Sequence, residues 1–317
     1  MRPIEGNFNH INIFDYSVVE RLSDFFDIDF VKQDQTEFKL WFENLKLIAE
    51  QNLGLAHSIV HNQTARNKIN LMYHDTKLEI FNRPYKLNIG SYSFYKGFSL
   101  YKPDTIVLQG TKIKGTKYWA SHLEQADYIV LEAIDQARIV RVVFLNLKDV
   151  AHSIVKESAP IGMKIAAPAD IVVDDEIPPE WVCNQNLSIN RKFSDFHYYG
   201  LTANYISCAK SLIKQAQEQK FQVDYNLKKL ILNTDTATLL WEKSFVDLFE
   251  SAARPPAFKS IQYQFAKKNL IDVIGFFLEI MNTGMCDQES LLSQTFRDAV
   301  TFSSHNLNLY KQLNTNA

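Results

Sequence analysis

The sequence predicts an α+β fold. N-terminal helices lead into a middle, mostly antiparallel β domain, and the chain ends in a C-terminal four-helix up-down bundle. Three observations carry this expectation. Apolar residues recur at three- and four-residue steps on both sides of the middle of the chain. In the middle the period falls to two, and Gly and Pro separate short β-branched runs. No segment between those runs is long enough for a crossover helix, so neighbouring strands should be largely antiparallel. The expected organisation is a short helical region over 1–75, a β domain over 76–182 and a helical bundle over 183–317.

Each element has its own signal. In the first region Phe38, Leu40, Trp41, Leu45, Leu47 and Ile48 share a helical stripe, and Leu53–Ile69 follows without Pro. Asn52 or the Gly54 region is the expected break between two helices. The β region opens with Thr105-Ile106-Val107-Leu108, punctuated by Gly110 and Gly115. Tyr128-Ile129-Val130-Leu131, Ile139–Leu145 and Ile171-Val172-Val173 are further strands, and Asp174-Asp175 and Pro178-Pro179 close the region. The bundle helices are expected over Phe196–Gln219, Asn226–Ser251, Ala257–Met281 and about Glu289 to Leu309, with a break at Ala253-Arg254-Pro255-Pro256.

Composition narrows the functional classes. With 317 residues, 46% hydrophobic and 22% charged, the chain can bury a sizeable core and has room for two or three domains. Lys+Arg 34 against Asp+Glu 36 gives a net charge of −2, which argues against nucleic acid or an anionic membrane as partner. Cys183, Cys208 and Cys286 are few, odd in number and lack CxxC spacing, so neither a disulfide framework nor a zinc site is expected, and no metal. The N-terminus lacks the apolar core of a signal peptide. The apolar stretch Tyr128–Leu147 is broken by Glu132, Asp135, Arg138 and Arg141, so no membrane span is expected and the expected location is cytoplasmic.

One segment of the β region carries chemistry. Gly110-Thr111-Lys112-Ile113-Lys114-Gly115-Thr116-Lys117-Tyr118-Trp119-Ala120-Ser121 is followed by Ala126-Asp127-Tyr128. It resembles the middle domain of the acyl-CoA dehydrogenase superfamily, where a "G-x-K-x-W-x-S/T" strand precedes "A-D" and another strand. Pro160–Lys164 through Val172–Pro178 is similar to that family's "G-M-R … V-x-F-D-x-V-x-V-P" stretch, and Phe296-Arg297-Asp298-Ala299 to its "R-D-A" on the last helix. The resemblance implies a flavin cofactor, FAD in most members, with FMN or none as alternatives. It implies an acyl thioester as substrate, and a homodimer or homotetramer built through the bundle. Trp119 would pack its ring face on the isoalloxazine. Ser121, two residues on and so on the same strand face, would hydrogen-bond the flavin near its reactive nitrogen. Asn88–Ser93 stands in place of the family's "T-E-P-x-x-G-S-D" loop, which makes Gly90, Ser91 and Ser93 cofactor-binding candidates.

Several positions depart from the family pattern. Glu218 and Gln222 flank Phe221 where the family has the Arg and Gly of "R-x-x-F-G", and a carboxylate there repels a pyrophosphate. Lys214 and Lys220 are nearby. The loop before the last helix has one glycine, Gly284. Nine residues after Arg297, where many members have their catalytic Glu, stands Asn306, and an amide is no base. Glu242 and Glu250 are the bundle carboxylates that are candidates to replace it. The residue before Asn306 is His305, a feature of the flavin-dependent two-component monooxygenases; there a histidine can assist a flavin peroxide or deprotonate a phenol. His305 and Ser121 are therefore the catalytic candidates. Three functions stay open: an acyl-CoA dehydrogenase-type oxidoreductase, a reduced-flavin monooxygenase, and a non-catalytic descendant that binds a partner. His57 and His61, at i,i+4, are read as surface or packing residues, and Lys228-Lys229 and Lys267-Lys268 as solvated faces.

Overall fold

A computed structural model of the chain describes residues 22, 34–72, 89–93, 105–120, 123, 126–155, 169–183, 187–218, 225–250, 256–280, 295 and 297–299. Helix α1, Gln35–Gln51, begins at Asp34, whose Oδ1 accepts from the backbone N–H groups of Thr36 (2.8 Å) and Glu37 (3.1 Å). It ends at Asn52. That residue donates its backbone N–H to the Ile48 carbonyl, and its Oδ1 accepts from Leu55 N at 3.0 Å. Asn52 therefore closes α1 and caps α2, Leu53–Met72. The two helices form a hairpin.

The sheet consists of β1 Ile89–Ser93, β2 Val107–Gln109, β3 Lys112–Ala120, β4 Tyr128–Asp135, β5 Val140–Asn146, β6 His152–Val155, β7 Ala169–Glu176 and β8 Val182–Cys183. Its order is β6-β7-β3-β2-β4-β5-β8, with β1 beside β4. The expected antiparallel pairing holds for β2–β3, β3–β7, β4–β5, β5–β8 and β6–β7. Two pairings are parallel, β1–β4 and β2–β4. The reason is that β3 itself is the return path: it runs back along one side of β2, and β4 then comes up along the other. Gly110, at φ 64, turns β2 into β3. Gly115, at φ 133, lets the Thr105 carbonyl approach so closely that a Cβ would lie 2.3 Å from its oxygen.

Three long helices follow: α3 Leu187–Glu218, α4 Tyr225–Glu250 and α5 Pro256–Ile280. Of the expected fourth bundle helix, Thr295 and residues 297–299 are helical; the remainder lies outside the described residues. One apolar cluster joins α1, α3, α4, α5 and the first half of α2 (Leu53, Ala56, Ile59, Val60). A second fills the sheet and takes Ala65 and Ile69 from the second half of α2. Helix α2 thus pins the sheet to the bundle. No helix among the described residues is long and apolar enough to cross a membrane.

One expectation fails in the bundle. Lys228, Lys229 and Lys268 are exposed, but Lys267 is completely buried. Burial pulls its amine from the usual 10.5 to about 8. Lys267 stands four residues after the buried Tyr263, on the helix side turned to α3, so the pair of lysines straddles the boundary of the amphipathic face.

Candidate functional site

Strands β1 and β3 meet at the junction of sheet and bundle. Strand β1 pairs with the first half of β4 (Ile89↔Tyr128, Tyr92↔Val130, Ser93↔Leu131), and β2 pairs with the second half. Strand β1 therefore fills the gap between β4 and the far end of β3, and it packs beside β3 and under α2. Both strands are irregular there. The β1–β4 register shifts between Ile89 and Tyr92, which spans Gly90 and Ser91. The β3–β7 register shifts between Lys117 and Ala120, which spans Trp119. Such interruptions free backbone groups and re-aim side chains, and they favour functional sites. The backbone thus brings Gly90, Ser91, Ser93 and Trp119 to one place. Ser121 and His305 lie outside the described residues, as do Gly284 and Asn306.

Glu132 continues β4 one residue beyond the partner of Ser93 and is buried. Across from it stands Tyr198 of α3. Tyr198 is 38% exposed, yet burial raises the pKa of its hydroxyl, and the Glu132 charge raises it further. The Tyr198 ring lies 5.1 Å from Tyr263 of α5, and Tyr205 Oη is 3.2 Å from Tyr263 Oη. These phenols stay protonated at neutral pH and act as neutral donors. Glu132 was visible in the sequence as a lone carboxylate in an apolar strand, which is the signal that could have singled it out.

A histidine group lies between α2 and α3. His57 and His61 of α2 have ring centroids 4.2 Å apart, and His61 lies 4.7 Å from His197 of α3, edge to face. Thr64 donates its hydroxyl proton to the Val60 carbonyl at 2.7 Å. The Thr64 hydroxyl oxygen also lies 3.2 Å from His197 Nδ1. The packing expectation holds for the buried His57, but the partly exposed His61 joins it to a third histidine that sequence spacing gave no means to find. Among the described residues no group of His, Cys, Asp or Glu is arranged to hold a metal ion.

The other carboxylate candidates are placed elsewhere. Glu242 is exposed on α4, away from the cleft. Glu250 ends α4, and its side chain is outside the described residues. Glu218 is exposed at the end of α3, with Lys214 3.9 Å away, a weak surface pair. Cys183 and Cys208 are free thiols, and burial pushes the Cys208 thiol far up, so it stays neutral.

No family profile matches the sequence, and no curated protein matches it. The fold does have solved counterparts. Butyryl-CoA dehydrogenase from Megasphaera elsdenii superimposes with a TM-score of 0.75 at 14% identity, covering 95% of this chain and 90% of its own. Glutaryl-coenzyme A dehydrogenase in complex with glutaryl-CoA gives 0.72 at 14%, covering 91% and 83%. The FMN-bound TdsC from Paenibacillus sp. A11-2, a dibenzothiophene monooxygenase, gives 0.66 at 12%, covering 94% and 88%. The chain therefore has the fold shared by acyl-CoA dehydrogenases and these monooxygenases.

Proposed function

We propose that the chain is a flavin-binding oxidoreductase whose site is the cleft between sheet and bundle, and that its substrate is an acyl thioester. The observation that carries this reading is the meeting of two irregular strands, β1 and β3, near Glu132 and Tyr198. A flat aromatic ring fits such a place. Gly90 permits close backbone approach, the Trp119 segment offers an aromatic wall, and Ser91, Ser93 and Ser121 offer hydroxyls. A bound flavin would supply a two-electron acceptor. The chain's own part is the proton. In this reading Glu132 receives the proton leaving the carbon next to the thioester carbonyl, and Tyr198 donates a hydrogen bond to that carbonyl. Exposed Leu232, Leu239 and Leu240 on α4 support self-association as a homodimer or homotetramer.

The first test is the visible absorbance of purified protein before and after incubation with FAD and with FMN. A flavin band that survives desalting is expected. A featureless spectrum with both would instead favour the cofactor-free binding protein. Glu132→Gln should then lower thioester turnover by about 10²–10⁴-fold with flavin content unchanged. Unchanged turnover would remove Glu132 from the reaction.

A further inference from the structure

Tyr198 can aim its hydroxyl only if its ring is held. The χ2 torsion of a tyrosine is broad, so rotamer preference leaves the ring plane loose and packing must set it. Tyr198 is 38% exposed, so part of its surface meets no protein neighbour. Tyr263 of α5 meets the ring edge to face, the arrangement that ring quadrupoles favour, with centroids 5.1 Å apart and planes at 69°. His197, its neighbour in the chain, lies further off at 5.7 Å.

Tyr263 is itself fixed. Tyr205 stands two turns after Tyr198 on α3, so the two rings share a face of that helix. The Tyr263 ring meets both, lying 5.3 Å from Tyr205 with planes at 62°. The hydroxyl oxygens of Tyr205 and Tyr263 are 3.2 Å apart, a hydrogen bond buried in the bundle. Tyr205 is 0% and Tyr263 5% exposed, so of the three rings Tyr198 alone is open to a substrate. The charge of Glu132 acts on the Tyr198 hydroxyl, and Tyr198 acts on that of Tyr263, so the carboxylate and the phenols form one coupled group.

We propose that Tyr263 is the positioning residue of the site: its ring sets the plane of Tyr198 and so aims the Tyr198 hydroxyl at the place beside Glu132 where a carbonyl is held. Tyr205 fixes Tyr263 in turn, through its ring and its hydroxyl. Buried as it is, Tyr263 acts through Tyr198. The inference rests on the acyl-thioester reading for what the Tyr198 hydroxyl does, but not for what holds it.

The experiment has two arms, each run on Tyr263→Phe, which keeps the ring, and Tyr263→Leu, which removes it. Tyr263→Met takes the place of Tyr263→Leu if the latter does not fold. The first arm follows turnover of hexanoyl-CoA by the flavin-loaded protein with a dye as final electron acceptor. Tyr198→Phe should lower kcat by about 10²–10³-fold and Tyr263→Leu by about 10²-fold, while Tyr263→Phe stays near wild type. In the Tyr198→Phe background Tyr263→Leu should cost less than about a further twofold, because nothing is left for it to position. Losses that multiply would give Tyr263 a purely structural role and overturn the proposal. The second arm needs no turnover. The alkaline titration of Tyr198 is read from tyrosinate absorbance, as the difference between each protein and its Tyr198→Phe counterpart. Its midpoint, raised above the ordinary 10.0 in wild type, should stay there in Tyr263→Phe and fall toward 10.0 in Tyr263→Leu as the hydroxyl leaves its place beside Glu132. An unchanged midpoint in Tyr263→Leu means that something else holds Tyr198, and overturns the proposal. A wild type that turns over no thioester but shows the expected shift leaves the positioning role standing and removes the thioester reading.

Discussion

Helix α3 is packed in two different ways on two of its sides. Toward α1 and α4 it is aromatic. Phe196 stacks on Phe38 at 4.4 Å, Tyr199 stacks on Trp241 at 4.7 Å, and Phe42 meets the Tyr199 ring edge-on at 4.8 Å. Tyr199 and Trp241 are matched there in both directions: Trp241 Nε1 donates to the Tyr199 carbonyl at 3.1 Å, and Tyr199 Oη donates to the Trp241 carbonyl. Toward α2 the same helix buries His197, Asn204 and Ser207, of which Asn204 and Ser207 are unmatched. An unmade hydrogen bond costs about 1–3 kcal/mol, so the second side weakens the fold that the first side holds together.

The strongest way to break this comparison is Phe42→Ala, which empties the aromatic side. Phe42 is completely buried between α1, α3 and α4. The loss should be about 3–5 kcal/mol, read as a lower denaturant midpoint, and a much smaller loss would mean that the aromatic side is not the main support.

Lys267 sharpens the comparison because it is a buried polar group on α5, outside the α2–α3 seam. Its amine has no hydrogen-bond partner. The folded-state pKa of about 8 lies below the ordinary 10.5, so between those values the unfolded chain holds more protons and stability rises with pH. Cys208, whose thiol burial also pushes up, opposes this from about pH 9, and Tyr198, Tyr199 and Tyr263 from about pH 10, where the unfolded groups begin to ionise. Lys267→Met should add about 3 kcal/mol at neutral pH and flatten the rise between pH 8 and 9. Denaturant midpoints across that range decide it, and a retained slope would assign the rise to another group.

The smallest effect belongs to Gly200. Ala gains about 0.8–1 kcal/mol of helix propensity but must push against Val60. Gly200→Ala should destabilise by less than about 1 kcal/mol alone and stabilise when Val60→Ala makes room. If it is stabilising in both backgrounds, the helices are not held at their closest approach there.

Most of the fold was legible because it rests on periodicity. The Asn52 break, the Gly110 turn and the three long helices all have local signals. The parallel pairing of β1 and β2 with β4 was not legible, since it depends on β3 serving as the return path. The candidate site divides along the same line. The segments around Gly90 and Trp119 were found through a resemblance, and the topology sets them side by side. Glu132, Tyr198 and His197 come from different elements and meet only in three dimensions. Lys267 was misread because a Lys-Lys pair at the edge of an amphipathic face gives no sign of which lysine turns inward.

The pairing of β3 with β7 has a consequence for synthesis. Thr111 and Glu176, hydrogen-bonded at 2.6 Å near one end of that pair, are 65 residues apart. While the nascent chain lengthens, β3 has β2 and β1 on one side, and its other edge, including the irregular stretch at Trp119, stays open. That edge closes only after β7 has been made, so the irregular end of β3 is completed late. A translational pause before residue 176 would hold the chain with an unpaired, adhesive strand at the place where the cofactor is proposed to bind.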